Sequence, residues 1–279
     1  ANYNIKLIAT NNLGCKDSIT KSIFVSPCAQ TVNLNGLELW LKNDFGVITS
    51  GGFVTEWKDA SGKNNHCTQT NPSFQPGVNL SIPSINSNNG SLVFDGVDDY
   101  MPFTTPITNI RTVFFVIKHN GINVPYAPIL GYDSGVYDFI GDGSGNKIFD
   151  ATITSPYILN GTIKINTTAI GTVSNAARPL NYSIISLTTS GNVSANQITR
   201  DRTNINRVWG GEYSEVMIYN RLFTAIQIDS IENYLVNKYS PTLELGSDIF
   251  IQQLNGCIPT NSITIQANPD FQSYLWNTG

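Results

Sequence analysis

The chain has 279 residues, enough for one large domain or two small ones and for a sizeable core. Only 13% of them are charged and the formal net charge is −4; no basic stripe is visible, which excludes the usual signature of a nucleic-acid binder, and no run of about 20 apolar residues suggests membrane insertion. The surface must draw on Asn, Thr, Ser and Gln, and together with 12 Tyr, 13 Phe and 23 Gly this composition suits an extracellular all-β protein rich in turns.

Residues 3–10 (YNIKLIAT) alternate apolar and polar positions, Asn11 to Gly14 read as a turn, and 18–25 (SITKSIFV) as a second strand. The pair is a hairpin too small to stand alone. Residues 27–35 form a linker. Strand signals then thicken: 37–41 (LELWL), 54–57 (VTEW) followed by the polar loop 58–66 (KDASGKNNH), and an irregular stretch at 71–90 rich in Asn, Pro, Ser and Gly.

The stretch 91–101 (SLVFDGVDDYM) is the most informative. Its apolar run Leu92, Val93 and Phe94 meets an Asp95-Gly96 turn, the mark of a sheet corner. Three carboxylates, Asp95, Asp98 and Asp99, fall within five residues. Residues 111–119 (RTVFFVIKH) are the most apolar run and the expected central strand. Shorter strands broken by Gly fill 129–165, and 181–188 and 212–219 are further strands. One helix is expected, with Thr224 and Gln227 at capping-box spacing, Ile228, Ile231, Leu235 and Tyr239 along one face, and Pro241 as its stop. After 242 strand-like segments resume up to Tyr274-Leu275-Trp276. The chain opens inside one strand pattern and stops after another, so a piece of a longer polypeptide is expected.

Three segments in this order, WKDASGKNN (57–65), LVFDGVDDY (92–100) and GGEYSEVMIYNR (210–221) running into IENYLVNKY (231–239), resemble a laminin-G-like domain of the concanavalin A-like lectin/glucanase superfamily. The resemblance implies an all-β fold, an antiparallel jelly-roll β-sandwich with one short C-terminal helix, over residues 29–241. The hairpin 1–28 resembles the end of a PKD or Ig-like module, and 242–279 the first strands of another. Such flanks resemble modules of large bacterial surface proteins, including adhesins exported by the type IX route. The triplets Asp17-Ser18-Ile19 and Asp229-Ser230-Ile231 resemble an O-glycosylation signature of secreted bacterial proteins.

The same resemblance bears on the cysteines, Cys15, Cys28, Cys67 and Cys257. It implies that Cys15 and Cys257 find partners in the missing parts of the flanking modules, and on it Cys28 and Cys67 are expected to pair and staple the linker to the sandwich. The alternative is free or separately paired thiols. No C-x-x-C spacing suggests zinc.

A glucanase of this superfamily carries an E-x-D-x-x-E strand, and none occurs here. Glu212 and Glu215 lie three apart, on opposite faces of a regular strand, so that only a bulge can bring them to one side. Neither His66 nor His119 has a triad context, and no enzyme is expected. Laminin-G-like domains often bind calcium at one edge of the sandwich, and Asp59, Asp95, Asp98 and Asp99 are the candidate oxygen ligands, with the loop 133–142 a second cluster. The competing role for Asp59 and Asp95 is turn capping. Tyr126, Tyr132, Tyr137 and Tyr157, in the Gly-rich middle, are the candidate sugar-stacking residues, whereas Trp40, Trp57 and Trp209 lie in alternating strands and are expected in the core. The expected function is a non-enzymatic adhesion or carbohydrate-recognition module on a bacterial cell surface, with glycans as partners and calcium as cofactor. The alternatives are an accessory polysaccharide-binding domain of a secreted glycoside hydrolase, or a structural spacer.

Overall fold

The structure, a computed structural model, describes residues 2–10, 16–24, 32–80, 90–204 and 206–239. Val32–Thr242 form one compact unit, and the N-terminal hairpin belongs to another unit. In that hairpin β1 (Asn2–Thr10) and β2 (Lys16–Phe24) pair antiparallel without a break, Asn2 opposite Phe24 and Thr10 opposite Lys16. The module expected at 242–279 lies outside the described residues, as do Cys15, Cys28 and Cys257.

The larger unit is built from β3 (Leu37–Lys42), β4 (Val47–Ser50), β5 (Phe53–Trp57), β6 (Cys67–Thr68), β7 (Gly77–Asn79), β8 (Ser91–Phe94), β9 (Met101–His119), β10 (Leu130–Gly131), β11 (Thr162–Ile165), β12 (Thr168–Ile170), β13 (Ser183–Ile198) and β14 (Gly211–Tyr219), with helices α1 (Pro156–Leu159) and α2 (Ala225–Tyr239). The strands pair antiparallel in the order β12-β11-β13-β9-β6-β5-β7-β8-β14-β3. β9 pairs again with β14, so the sheet closes on itself as a barrel does. The closure depends on the length of β9, whose 19 residues reach two partners on one side. Phe103 faces Cys67 of β6, whereas Thr112–His119 face β14. β13 follows β9 through both parts, slipping register between Thr188 and Gln197, where bulges let the two strands bend together.

Side chains on the two faces of β9 enter different cores. Val113, Phe115 and Ile117 join Leu39, Leu41, Trp57, Phe94, Trp209 and Tyr213 inside the closed sheet. Phe114 and Val116 point outward, against Phe223, Ile228, Ile231 and Leu235 of the α2 segment. A strand buried on both faces needs an unbroken apolar run, which explains the sequence 113–117. The helix starts with the expected reciprocal cap: the Thr224 N–H donates to Gln227 Oε1 (3.0 Å) and the Gln227 N–H to Thr224 Oγ1 (3.4 Å).

β14 departs from the expectation for a regular strand. Its register shifts between Tyr213 and Glu215, so Ser214 is an extra residue. Tyr213 and Val216 both face inward in consequence, and Glu212 and Glu215 share the outer face. The two acids nevertheless serve separate networks. Glu215, 1% exposed, accepts hydrogen bonds from Trp40 Nε1 (2.7 Å), Tyr234 OH (3.3 Å), Lys238 Nζ (2.7 Å) and Tyr239 OH (2.7 Å), tying α2 to the sheet. Glu212 accepts from Ser91 Oγ (2.6 Å) and from the Tyr182 hydroxyl, and meets Lys118 Nζ at 3.4 Å.

Candidate functional site

The turn after β8 is held by its own first carboxylate. Asp95 Oδ1 accepts the N–H groups of Val97 (2.7 Å) and Asp98 (3.3 Å), the capping role foreseen for it. Gly96 has φ +81°, and a Cβ there would sit 2.9 Å from Gly210 Cα, so the turn requires glycine for both backbone shape and space. Side chains from two other loops fasten it. Asn120 Nδ2 donates to the Asp95 carbonyl (3.3 Å) and the Thr199 hydroxyl to the Asp99 carbonyl (2.8 Å).

This geometry gathers the carboxylates of Asp95, Asp98 and Asp99 with ligand oxygens all within 4.8 Å of one another. Asp99 is only 6% exposed and accepts the Asp95 N–H (2.9 Å). Burial, assisted by the charges of Asp95 and Asp98 and opposed by that hydrogen bond, pushes Asp99 up to about 7. Burial and the charge of Asp95 raise Asp98 as well. A hard cation that takes carboxylate oxygens could be held by this donor set. Asp95 Oδ2, Asp98 and Asp99 are the groups that would hold it.

Asp59 lies apart from this group. Its Oδ1 accepts the N–H groups of Trp40 (2.9 Å) and Ser61 (2.8 Å), and its Oδ2 accepts the Ser61 hydroxyl (2.7 Å) and the Asn65 N–H (3.0 Å). Four donors occupy the carboxylate, so the WKDASG loop is organised around Asp59 as a capping residue. The loop expected as a second acidic cluster is likewise built of turns. Asp142 accepts from the Ser144 hydroxyl and the Asn146 N–H (3.3 Å), and these bonds outweigh burial and hold it below the usual carboxylate range. Cys67 has no exposed surface and faces inward between Trp57 and Phe103; its expected pairing with Cys28 lies outside the described residues. Burial first, and the nearby charge of Asp59 second, raise its pKa well above the ordinary value.

The four candidate tyrosines divide. Tyr137 is stacked under Arg202 at 4.5 Å and accepts from Arg202 Nη1 (2.6 Å), and Tyr126 lies under Arg207 at 4.7 Å. Both arginines reach one buried acid: Arg202 binds Asp201 through Nε (3.0 Å) and Nη2 (2.9 Å), and Arg207 through Nη1 (3.1 Å). A third pair continues the row, with Arg200 only 3.5 Å above the Tyr100 ring. Tyr100 follows Asp99 directly in the chain. Tyr132 is half-buried and borders a shallow depression with Tyr137 and Asp201. Tyr157 belongs elsewhere, its ring lying over Gly191 in the bulged part of β13.

Arg200, Asp201, Arg202 and Arg207 are absent from the candidates read in the sequence. Their signal was RDRTNINR (200–207), three arginines in eight residues of a chain otherwise poor in charge. Trp57 and Trp209 are fully buried and Trp40 packs beneath α2, as expected. Among the described residues no helix is long and apolar enough to cross a membrane. No protein-family model matches the chain, and no curated protein matches its sequence.

Proposed function

We propose that residues 32–242 are a laminin-G-like jelly roll that recognises carbohydrate at the end formed by the Asp95 turn and the 200–207 loop, with calcium bound by Asp95, Asp98 and Asp99. The observation that carries this reading is an acidic triad, all within 4.8 Å, followed in the chain by Tyr100, one of three tyrosines stacked against arginines of the 200–207 loop. Calcium takes oxygen donors and relieves the mutual repulsion that raises Asp99. Tyrosine rings pinned by guanidinium groups lose little freedom when a sugar face packs on them, which lowers the cost of binding.

The role is non-enzymatic. Glu212 and Glu215, the two acids that share a face, are each engaged in a hydrogen-bond network that joins strands or helix to sheet. The module belongs, on this reading, to a secreted multidomain adhesin of the bacterial cell surface, with the β1–β2 hairpin the end of a PKD or Ig-like neighbour. A glycan array probed with the full chain in calcium and in EGTA tests recognition. Binding that EGTA abolishes is expected, and no binding in either condition contradicts it and leaves a structural spacer.

A further inference from the structure

Where the Asp95 turn leaves the sheet, three strands run side by side. β14 lies between β8 and β9 there, so Glu212 is level with Val93 on one side and with Lys118 on the other. Beside that row is a cavity of about 470 Å³, walled by Val93, Asp95, Lys118, Asn120, Leu180 and Glu212. Small-molecule sites fall at roughly 300–1,000 Å³. The depression beside Tyr132 and Tyr137, at about 10 Å³, is too small to enclose a sugar ring.

We propose that this cavity holds a neutral sugar ring, gripped through two adjacent hydroxyls by Glu212 and Lys118. The proposal rests on the carbohydrate reading above and gives the ligand a place and a class. Glu212 Oε2 is occupied by Ser91 and Tyr182, whereas Oε1 meets only Lys118 Nζ, at a loose 3.4 Å. An acceptor and a donor are thus left side by side, the arrangement that a vicinal diol matches by donating with one hydroxyl and accepting with the next. Leu180, 62% exposed at the wall, and Val93 supply apolar surface for the carbon face of the ring.

The charges select against acidic sugars. Lys118 is already paired with Glu212, so the wall offers no spare cation to a carboxylate. His119, in the same wall, brings no compensating charge, because burial and the neighbouring Arg178 pull it down to about 4. Its Nδ1 accepts the Gly121 N–H (3.1 Å), and its Nε2 has no hydrogen-bond partner, nor has Nε1 of Trp209, whose ring meets the imidazole at 4.7 Å. Buried donors without partners are few in folded proteins, and of these two His119 stands in the cavity wall.

The test is calorimetric titration of the full chain with the methyl glycosides of glucose, galactose and mannose, and with methyl glucuronide, in calcium. At least one neutral glycoside should bind, and both Glu212→Gln and Lys118→Met should weaken it tenfold or more. Glu212→Gln keeps acceptor and shape for Ser91 and Tyr182, and coincident thermal melts verify that it folds. Binding that survives both cavity variants but is lost in Tyr126→Ala and Tyr137→Ala overturns the cavity and preserves carbohydrate recognition on the tyrosine row. Tighter binding of the glucuronide overturns the neutral class, and no heat with any of these sugars overturns the cavity site, while a positive glycan array would still keep the broader reading.

Discussion

Single residues of this domain carry opposite electrostatic burdens, and that of Asp99 falls at the candidate site. Its carboxyl is raised from 3.8 to about 7, so the fold favours the protonated form. The stability it contributes is complete below about pH 4 and is lost as pH rises through 7. In EGTA, unfolding temperature should therefore fall between about pH 5 and pH 8. Asp99→Asn, which retains an oxygen for the Asp95 N–H, should flatten that profile and raise stability at the alkaline end; a steeper profile in the variant contradicts the assignment. Cys67 offers a second check. A thiol with no exposed surface and a raised pKa should resist iodoacetamide in the native chain and react on denaturation, as peptide mass spectrometry reports. Rapid native labelling would place it at the surface.

At the scale of elements, the bulge in β14 and the helix it supports form one device. The extra residue at Ser214 turns Glu215 to the outer face, where Trp40, Tyr234, Lys238 and Tyr239 converge on it. Removing a buried partner of such a network costs about 3–5 kcal/mol, because the remaining groups stay buried without acceptors. Glu215→Ala should lower stability in urea by that amount, and Glu212→Ala by less, since Lys118 is partly exposed. Equal losses would deny Glu215 its special place. The helix itself was legible from its cap and its apolar spacing, and β9 from its run of apolar residues. The bulge was not, because nothing in EYSEV marks which residue is supernumerary; the partner strand decides it. Likewise Asp59 reads as a ligand in sequence, whereas its four hydrogen bonds depend on Trp40 and Asn65 being brought to it.

For the molecule as a whole, the antiparallel β architecture and the place of the helix follow from pattern, because alternation and capping are local. The closure of the sheet through β9 and β14 is a long-range pairing with no local mark. The candidate site shows the same division. Asp95, Asp98 and Asp99 are neighbours in the chain and were legible together, while the arginines that pin Tyr100, Tyr126 and Tyr137 arrive from a loop some hundred residues on in the case of Tyr100. Joined, these features make the acidic turn the pivot of the domain's proposed activity. Its most direct test is thermal unfolding of the full chain with calcium against EGTA at about pH 8 and about pH 5. Calcium at about 100 times its dissociation constant should add about 2.7 kcal/mol at the higher pH, less at the lower, where Asp99 is protonated, and nothing in Asp98→Asn with Asp99→Asn. An unfolding temperature that calcium leaves unchanged at both pH values would contradict the account.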